Sequence, residues 1–352
     1  MNNKLFNGKT FNQKYLDQKL VKLTNQLENH NGYQFQTGLN IDSIPFKPKG
    51  ECQPGGIYFC QLEHLPLWVN YSNKEMFYVR FVTIPDDALV WTEEKKFKAD
   101  RLILGDRLEI CDLEVWKDPA YCLAAVQKDS YAFKYVREQT PEICLAAVKK
   151  DGRVLKHVLE QTKEICLAAV KINGYKLEYV LEQTPEICLA AVKNSGCALR
   201  YVRQQTEDIC LAAVQNDGCA LKYVTQQTAQ ICLAAVQKDS YALEYVLEQT
   251  EEICLEAVEN DGFALKFVIR QTEEICLAAV RQDGFALQYV RQQTPEICLA
   301  AVRQHCFAVQ YITEQAHQEY VCERLKLGTI LLGTDKPFWG RPSDLSRWTP
   351  RG

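Results

Sequence analysis

The cysteines are the residues whose number and spacing first suggest chemistry, since the chain has 16 of them in 352 residues. Such a set could form disulfides, hold metal ions or carry out redox reactions. Nine of them recur every 22 residues inside Ile-Cys-Leu-Ala-Ala-Val or a close variant: Cys122, Cys144, Cys166, Cys188, Cys210, Cys232, Cys254, Cys276 and Cys298. A reduced thiol in an apolar helix packs as a small hydrophobic group. Helices packed about 8–10 Å apart also hold equivalent cysteines beyond disulfide reach. We therefore expect core positions, with a metal or redox ladder as the alternative.

Other motifs that carry chemistry are absent from the sequence. It contains no phosphate-binding loop, no Cys-x-x-Cys pair and no Gly-x-Ser-x-Gly elbow. The five histidines are scattered along the chain. The motifs therefore predict no catalytic residue, no cofactor and no metal site.

The elements that position these cysteines belong to a 22-residue unit repeated nine times over residues 118–315. In the second copy, residues 140–161, Thr140 is an N-cap candidate and Pro141 suits the first helical position. The run Ile143–Val148 predicts a helix, and the glycine of Asp151-Gly152 should end it with a left-handed or otherwise open backbone. Val154 to Gln161 predicts a second helix. Each unit therefore reads as a helical hairpin.

Helices of about nine residues are unstable alone in water, so these hairpins should bury their apolar faces against their neighbours. The predicted fold class is mostly α: a right- or left-handed α-solenoid of nine 22-residue hairpins, preceded by a small α+β domain. The last residue of every unit is a glutamine, Gln139 through Gln315. We expect this series to form hydrogen bonds with the next repeat, because backbone groups at helix ends need partners.

The segments outside the repeats differ from them in composition and in predicted secondary structure. Asn12–His30 is polar and suggests a helix, whereas Gly55–Cys60, Met76–Thr83 and Ala88–Trp91 suggest strands separated by turns. We predict a head domain over 1–117, joined to the solenoid over 118–315 without a flexible linker. Residues 316–352 are expected to form a capping helix, Glu319–Lys326, and an irregular tail.

Charge and hydropathy restrict the setting and the partners. The net charge is −4, no apolar run approaches the length of a membrane span, and the first residues lack the apolar core of a secretory signal. We expect an intracellular protein, cytoplasmic or nuclear, with no membrane partner. The first four repeats carry thirteen Lys/Arg against ten Asp/Glu, whereas the last five carry seven against sixteen. An acidic array argues against nucleic acid, so a protein partner is expected.

Two positions of the unit vary in residue type while the residues at the core positions recur, which predicts a binding surface on the second helix. They are the seventeenth and twentieth, which lie three apart and so should share a helix face. The alternative is a solvated face with no partner. The candidate residues are Lys134, Arg137, Lys156, Leu159, Glu178, Leu181, Arg200, Arg203, Lys222, Thr225, Glu244, Leu247, Lys266, Ile269, Gln288 and Arg291.

With these residues laid out, the unit resembles a bacterial and viral family of Thr-Pro-Glu-Ile-Cys-Leu-Ala-Ala-Val repeats known as a domain of unknown function. The head is similar to an N-terminal module of giant-virus, mimivirus-like repeat proteins, in which it commonly precedes ankyrin repeats. The segments that carry this likeness include Gly38-Leu39-Asn40, Gly55–Phe59 and Lys98–Gly105. The resemblance implies a viral protein in an infected cell and brings no established activity.

The head also shares the order of some residues with ADP-ribosyltransferases. In that pattern a histidine and a tyrosine in a Gly-Ile-Tyr-Phe strand hold nicotinamide dinucleotide. The resemblance implies that His30 would hold the ribose, that Tyr58 would stack on the nicotinamide, and that Glu94 or Glu109 would be the catalytic acid. The histidine motif departs from the family, since Asn31-Gly32 follows it. A dinucleotide-binding head directed by the repeats is therefore the alternative to a non-catalytic scaffold.

Overall fold

A computed structural model describes residues 4–30, 33–48, 54–71 and 74–325 of the chain. These residues form two compact units that divide between residues 183 and 184. The first unit contains the head and three repeats, and the second contains six repeats and a final helix. The predicted irregular tail, and Lys326 at the end of the predicted capping helix, lie outside the described residues, and the predicted domain boundaries stay a prediction.

The head is built mainly from antiparallel strands. Helix α1 spans Gly8–Lys14, and the short 3₁₀ segments are η1 Leu62–Leu67, η2 Ile110–Asp112 and η3 Glu114–Lys117. The strands are β1 Lys4–Asn7, β2 Leu20–Thr24, β3 Asn29–His30, β4 Tyr33–Gln34, β5 Gly38–Ile41, β6 Ile57–Gln61, β7 Asn70–Tyr71, β8 Lys74–Glu75, β9 Tyr78–Thr83, β10 Leu89–Thr92, β11 Phe97–Ala99, β12 Arg101–Leu104 and β13 Leu108–Glu109. This content confirms the strand-rich α+β head.

Nine of the described strands form one sheet in the order β1-β10-β11-β6-β2-β9-β12-β5, with β13 added to β9. Its core is aromatic: the Phe11 ring lies 5.2 Å from that of Phe97 and 6.0 Å from that of Phe59, both edge-on. A buried ion pair adds to it, because Arg80 Nε lies 2.8 Å from Glu28 Oε1 and Nη2 lies 3.1 Å from Oε2. Arg80 also donates to the Gly105 carbonyl oxygen at 2.8 Å.

The predicted helix over Asn12–His30 is wrong beyond its first residues. Helix α1 ends at Lys14, and β2 occupies the middle of the sheet between β6 and β9. Four of the five β2 side chains are buried, including Val21 and Thr24. Branched side chains favour a strand packed on both sides, and this packing outweighs the polar residues that surround β2.

The repeat region consists of nine described pairs, each an α-helix of ten residues followed by a 3₁₀ segment of six. In the first unit they are α2 Pro119–Lys128 with η4 Ser130–Tyr135, α3 Pro141–Lys150 with η5 Gly152–His157, and α4 Lys163–Ile172 with η6 Gly174–Tyr179. In the second unit they are α5 Pro185–Asn194 with η7 Gly196–Tyr201, α6 Glu207–Asn216 with η8 Gly218–Tyr223, α7 Ala229–Lys238 with η9 Ser240–Tyr245, α8 Glu251–Asn260 with η10 Gly262–Phe267, α9 Glu273–Gln282 with η11 Gly284–Tyr289, and α10 Pro295–Gln304 with η12 Cys306–Tyr311. Helix α11, Gln315–Arg324, follows. The predicted repeat of nine hairpins is confirmed.

The second element of each hairpin differs from the prediction in length and type. In the second repeat the 3₁₀ segment ends at His157, Val158 is extended, and Gln161 lies in the following loop. Leu155 and Val158 are both buried, as expected from their spacing. Apolar residues three apart fit one turn of either kind of helix, so the spacing alone does not separate the two.

In four repeats of the second unit, the glycine that opens the 3₁₀ segment packs closely against the next repeat. None of the described repeat glycines has a positive φ, so of the two predicted alternatives, a left-handed or an otherwise open backbone, the left-handed one is wrong. A Cβ added at Gly218 would instead lie 2.6 Å from the Ala235 carbonyl oxygen of the next repeat. The caps are as predicted, since the Thr140 hydroxyl accepts from the Ile143 N–H at 3.4 Å. Neighbouring repeats within a unit are therefore held closely together.

Candidate interaction surface

The glutamine that ends each repeat binds the backbone of the next repeat. In the first unit, Gln139 Oε1 accepts from the Leu159 N–H at 2.9 Å, and Nε2 donates to the His157 carbonyl oxygen at 3.0 Å. In the second unit, Gln249 forms the same pair of bonds with Ile269 and Phe267 at 2.9 and 3.0 Å. The pair recurs at Gln161, Gln205, Gln227, Gln271 and Gln293. The predicted hydrogen bonding between repeats is confirmed.

This glutamine clamp determines which side chains face solvent. Because the N–H of position 20 points inward to the glutamine and the valine of position 19 is buried, the side chain of position 20 projects outward. Val268, for example, is fully buried, whereas Ile269 is 67% exposed. The other aliphatic residues at position 20 are exposed to a similar extent: Leu159 by 82%, Leu181 by 61% and Leu247 by 74%.

All sixteen residues of the predicted surface are exposed, but they do not lie on one helix face. Position 17 is on the 3₁₀ segment, whereas position 20 lies in the turn after it. Basic residues at position 17 lie over aromatic rings: Lys266 Nζ is 4.4 Å from the Tyr241 ring centre and 4.5 Å from that of Phe267. Position 20 therefore forms a separate row, and its use for binding stays a prediction.

An aromatic ladder in the second unit was not predicted. The ring at position 14 of one repeat meets the ring at position 18 of the next, edge-on. The pairs are Tyr241–Phe267 at 5.7 Å, Phe263–Tyr289 at 5.8 Å and Phe285–Tyr311 at 6.1 Å. The signal was present in the sequence, because both positions are mostly aromatic in the unit. These edge-to-face pairs stabilise the array on the 3₁₀ side.

The nine periodic cysteines are buried and free, as the core interpretation requires. Burial raises the pKa of the thiols of Cys254, Cys276 and Cys298 to about 11. Each of these sulfurs lies 3.7–3.8 Å from the Oε1 atom of the preceding glutamine. A protonated thiol that packs against the clamp is a structural group, since the thiolate is the nucleophile and metal ligand.

The head residues proposed for dinucleotide chemistry lie in different places. His30 ends β3, and its side chain lies outside the described residues. Tyr58 is half-buried on β6, with Lys96 Nζ at 4.9 Å and Lys98 Nζ at 5.0 Å from its ring centre. A nicotinamide ring would have to displace these ammonium groups to stack there.

The two candidate acids are both exposed. Glu94 lies in the turn between β10 and β11. Glu109 is on β13, separated from β6 by β9 and β2, which places it about 14 Å from Tyr58 along the sheet. The structure therefore does not bring Glu109 beside Tyr58, and the dinucleotide hypothesis stays a prediction.

Comparisons with known proteins place the repeats in a family. A family model described as a domain of unknown function, DUF4116, matches residues 140–184, 162–205, 184–228, 206–250, 250–294 and 272–315, which together span half of the chain. No solved structure matches. Among the described residues, no helix is long and apolar enough to cross a membrane.

Relatives of the chain occur in Acanthamoeba polyphaga mimivirus. An uncharacterized protein is 33% identical over 103 residues, which cover 29% of this chain and 75% of that protein. Two putative ankyrin repeat proteins are 35% and 30% identical over 103 residues each, covering 27% of this chain in both cases and 32% and 49% of those proteins. The chain thus spans less than half of either ankyrin relative. The predicted resemblance to giant-virus proteins is confirmed.

Proposed function

Since the chain belongs to the family defined by the domain of unknown function DUF4116, we propose from its structure that the repeats are a non-catalytic scaffold for binding other proteins. The observation that carries this proposal is the row of exposed side chains at position 20. Their backbone is held by the glutamine clamp while their identity varies among Leu, Ile, Arg and Thr. A fixed backbone with variable outward residues is how repeat proteins present binding surfaces.

Two further observations support a protein partner. Leu159, Leu181, Leu247 and Ile269 expose most of their apolar side chains at the same position of the unit, and grouped exposed apolar side chains favour an interaction site. Two relatives are described as putative ankyrin repeat proteins, and ankyrin repeats form extended concave binding surfaces. The viral relatives favour host or viral proteins inside an infected cell as the partners.

The proposal is tested by capturing partners with the full chain in cells that produce it. The surface variant replaces Leu159, Leu181, Leu247 and Ile269 with serine. The control variant replaces the exposed tenth residue of the same four repeats with serine, which changes Lys149, Lys171, Gln237 and Glu259. We expect partners to be captured by the control variant as by the original chain, and not to be captured by the surface variant. Equal recovery with both variants would overturn the position-20 surface, and equal recovery after deletion of the repeats would overturn the scaffold.

A further inference from the structure

The second unit has one edge where apolar and acidic groups occur together. At this edge, the loops between a 3₁₀ segment and the following helix expose aliphatic side chains beside the carboxylates of the first helical turn. We define it as the acidic edge, formed by Leu247, Glu248, Glu251, Glu252, Ile269, Glu273 and Glu274. All of these residues are exposed.

We propose that the acidic edge binds a basic segment of a partner protein in an extended, polyproline II-like conformation, with an aliphatic residue at every third position. This inference rests on the proposed scaffold function and names the chemistry of its partner. It commits to one occupant because three features of the edge agree: the direction of its aliphatic side chains, its charge and its spacing.

The aliphatic side chains point outward because of their backbone bonds. The Leu247 N–H donates to Gln227 Oε1 at 3.0 Å, and the Ile269 N–H donates to Gln249 Oε1 at 2.9 Å. Since both N–H groups are used inside the array, the two side chains project into solvent. They occupy the same position of consecutive repeats and so form two equivalent apolar contact points.

The charge around these contact points is mainly negative. In the part of the chain that the structure describes, none of the five carboxylates of the acidic edge takes part in a salt bridge. One nearby cation is already engaged, because the Arg291 guanidinium donates to the carbonyl oxygens of Ile269 and Val268 at 2.7 and 3.1 Å. Arg270 is exposed beside Ile269. Five carboxylates against two guanidinium groups leave a negative field that attracts a basic segment.

The spacing of the contact points matches an extended chain. Neighbouring packed helices lie about 8–10 Å apart, so equivalent residues of consecutive repeats should be separated by about that distance. Three residues of a polyproline II helix advance about 9 Å and return to the same face. An aliphatic residue at every third position can therefore meet Leu247 and then Ile269, while the residues between them face the carboxylates.

The test measures binding of the full chain to a synthetic peptide of repeated Leu-Lys-Pro triplets. Matched probes are Leu-Glu-Pro triplets, which reverse the charge, and Ser-Lys-Pro triplets, which remove the aliphatic groups. We expect the Leu-Lys-Pro peptide to bind at least about tenfold more tightly than the Ser-Lys-Pro peptide, which has no apolar side chains to bury. It should also bind at least about tenfold more tightly than the Leu-Glu-Pro peptide, whose negative charges the carboxylates of the edge repel. Its affinity should fall as salt rises.

Three double variants locate the binding. Leu247→Ser with Ile269→Ser should weaken binding at least about tenfold. Glu252→Gln with Glu274→Gln should weaken it several-fold and reduce the salt dependence. Glu259→Gln with Glu323→Gln removes the same charge from exposed positions outside the edge and should change the affinity by less than about twofold. All six positions are exposed, so the folded array should persist.

Three results would overturn the inference. They are no binding of the Leu-Lys-Pro peptide, equal binding of the Leu-Glu-Pro peptide, or equal effects of the edge and off-edge variants. Any of them together with intact capture of partners in cells would leave the scaffold proposal standing. Equal capture of partners by the full chain and by a chain without its repeats would count against the scaffold itself, whatever the peptides do.

Discussion

The head and the repeats differ in how far apart in sequence their contacting residues lie. In the head, Glu28 bonds to Arg80 and Phe11 packs on Phe97, so the contacts join residues far apart in sequence. In the repeats, the glutamine clamp reaches residues only 18 and 20 positions further on, as Gln249 does with Phe267 and Ile269. The head therefore depends on contacts between distant parts of its sequence, whereas each repeat interface depends on contacts between neighbouring repeats.

This difference explains why binding residues can change in one region more easily than in the other. A substitution in the head sheet affects strands that depend on one another through long-range pairing. A substitution in a repeat affects one interface, because repeat arrays are stabilised approximately as a sum of nearest-neighbour terms. Sequence variation at position 20 is then compatible with an unchanged backbone.

The largest expected effect comes from breaking the buried ion pair of the head. Arg80→Ala would leave the buried Glu28 carboxylate without its main partner and should lower the free energy of unfolding by about 3–5 kcal/mol. The loss should appear as faster hydrogen exchange across β2 and β9 together. Urea denaturation of the full chain measures its size.

Arg101→Ala provides the matched control for this experiment. Arg101 is also in the head and bridges Asp87 and Asp100 at 3.0 and 3.1 Å, but its side chain is 36% exposed. Exposed ion pairs contribute about 0–1 kcal/mol. Similar losses for Arg80→Ala and Arg101→Ala would contradict the view that the head depends on its buried pair.

A smaller and more local effect is expected in the repeats. Gln271→Ala removes the bonds to the Arg291 N–H and the Tyr289 carbonyl oxygen, both at 2.9 Å, and should lower the free energy of unfolding by about 2 kcal/mol. Gln292→Ala, at an exposed position that belongs to no clamp, should change it by less than about 0.5 kcal/mol.

Hydrogen exchange distinguishes a local effect from a global one. After Gln271→Ala, the amides of the two repeats joined by this glutamine should exchange faster, while those of the head should keep their rates. Uniform acceleration over the whole chain would show that the array does not behave as independent interfaces.

The same contrast in contact distance explains what could be predicted from the sequence. Repetition makes local contacts visible, so the buried cysteines, the threonine caps and the glutamine bonds could all be inferred from one unit. The 3₁₀ form of the second element could not, because Leu155 and Val158 fit either helix. The role of the repeat glycines was also hidden, since it depends on the distance to the next repeat's carbonyl oxygen.

The head was less predictable because its strands are defined by partners elsewhere in the chain. The strands around Tyr58 and Phe81 are rich in aromatic and β-branched residues and lie between turn residues, so the sequence indicates them. Strand β2 was read as helix, since its neighbours β6 and β9 come much later in sequence. The exposed row at position 20 was identified from its variation, but its separation from position 17 required the structure.

The smallest expected effect is a gain in stability at one repeat interface. Ser240 occupies the position that is glycine in most repeats, and its hydroxyl oxygen is buried with no hydrogen-bond partner in the part of the chain that the structure describes. Ser240→Ala should raise the free energy of unfolding by about 1 kcal/mol, because it removes an unsatisfied polar group. Ser130→Ala, at the equivalent but partly exposed position of the first repeat, should have almost no effect. Thermal unfolding of the two variants compares them directly, and a loss of stability in Ser240→Ala would show that the hydroxyl contributes to the interface. If the repeat interfaces are independent, the gain in stability should be local, and the hydrogen exchange rates in the head should be unchanged.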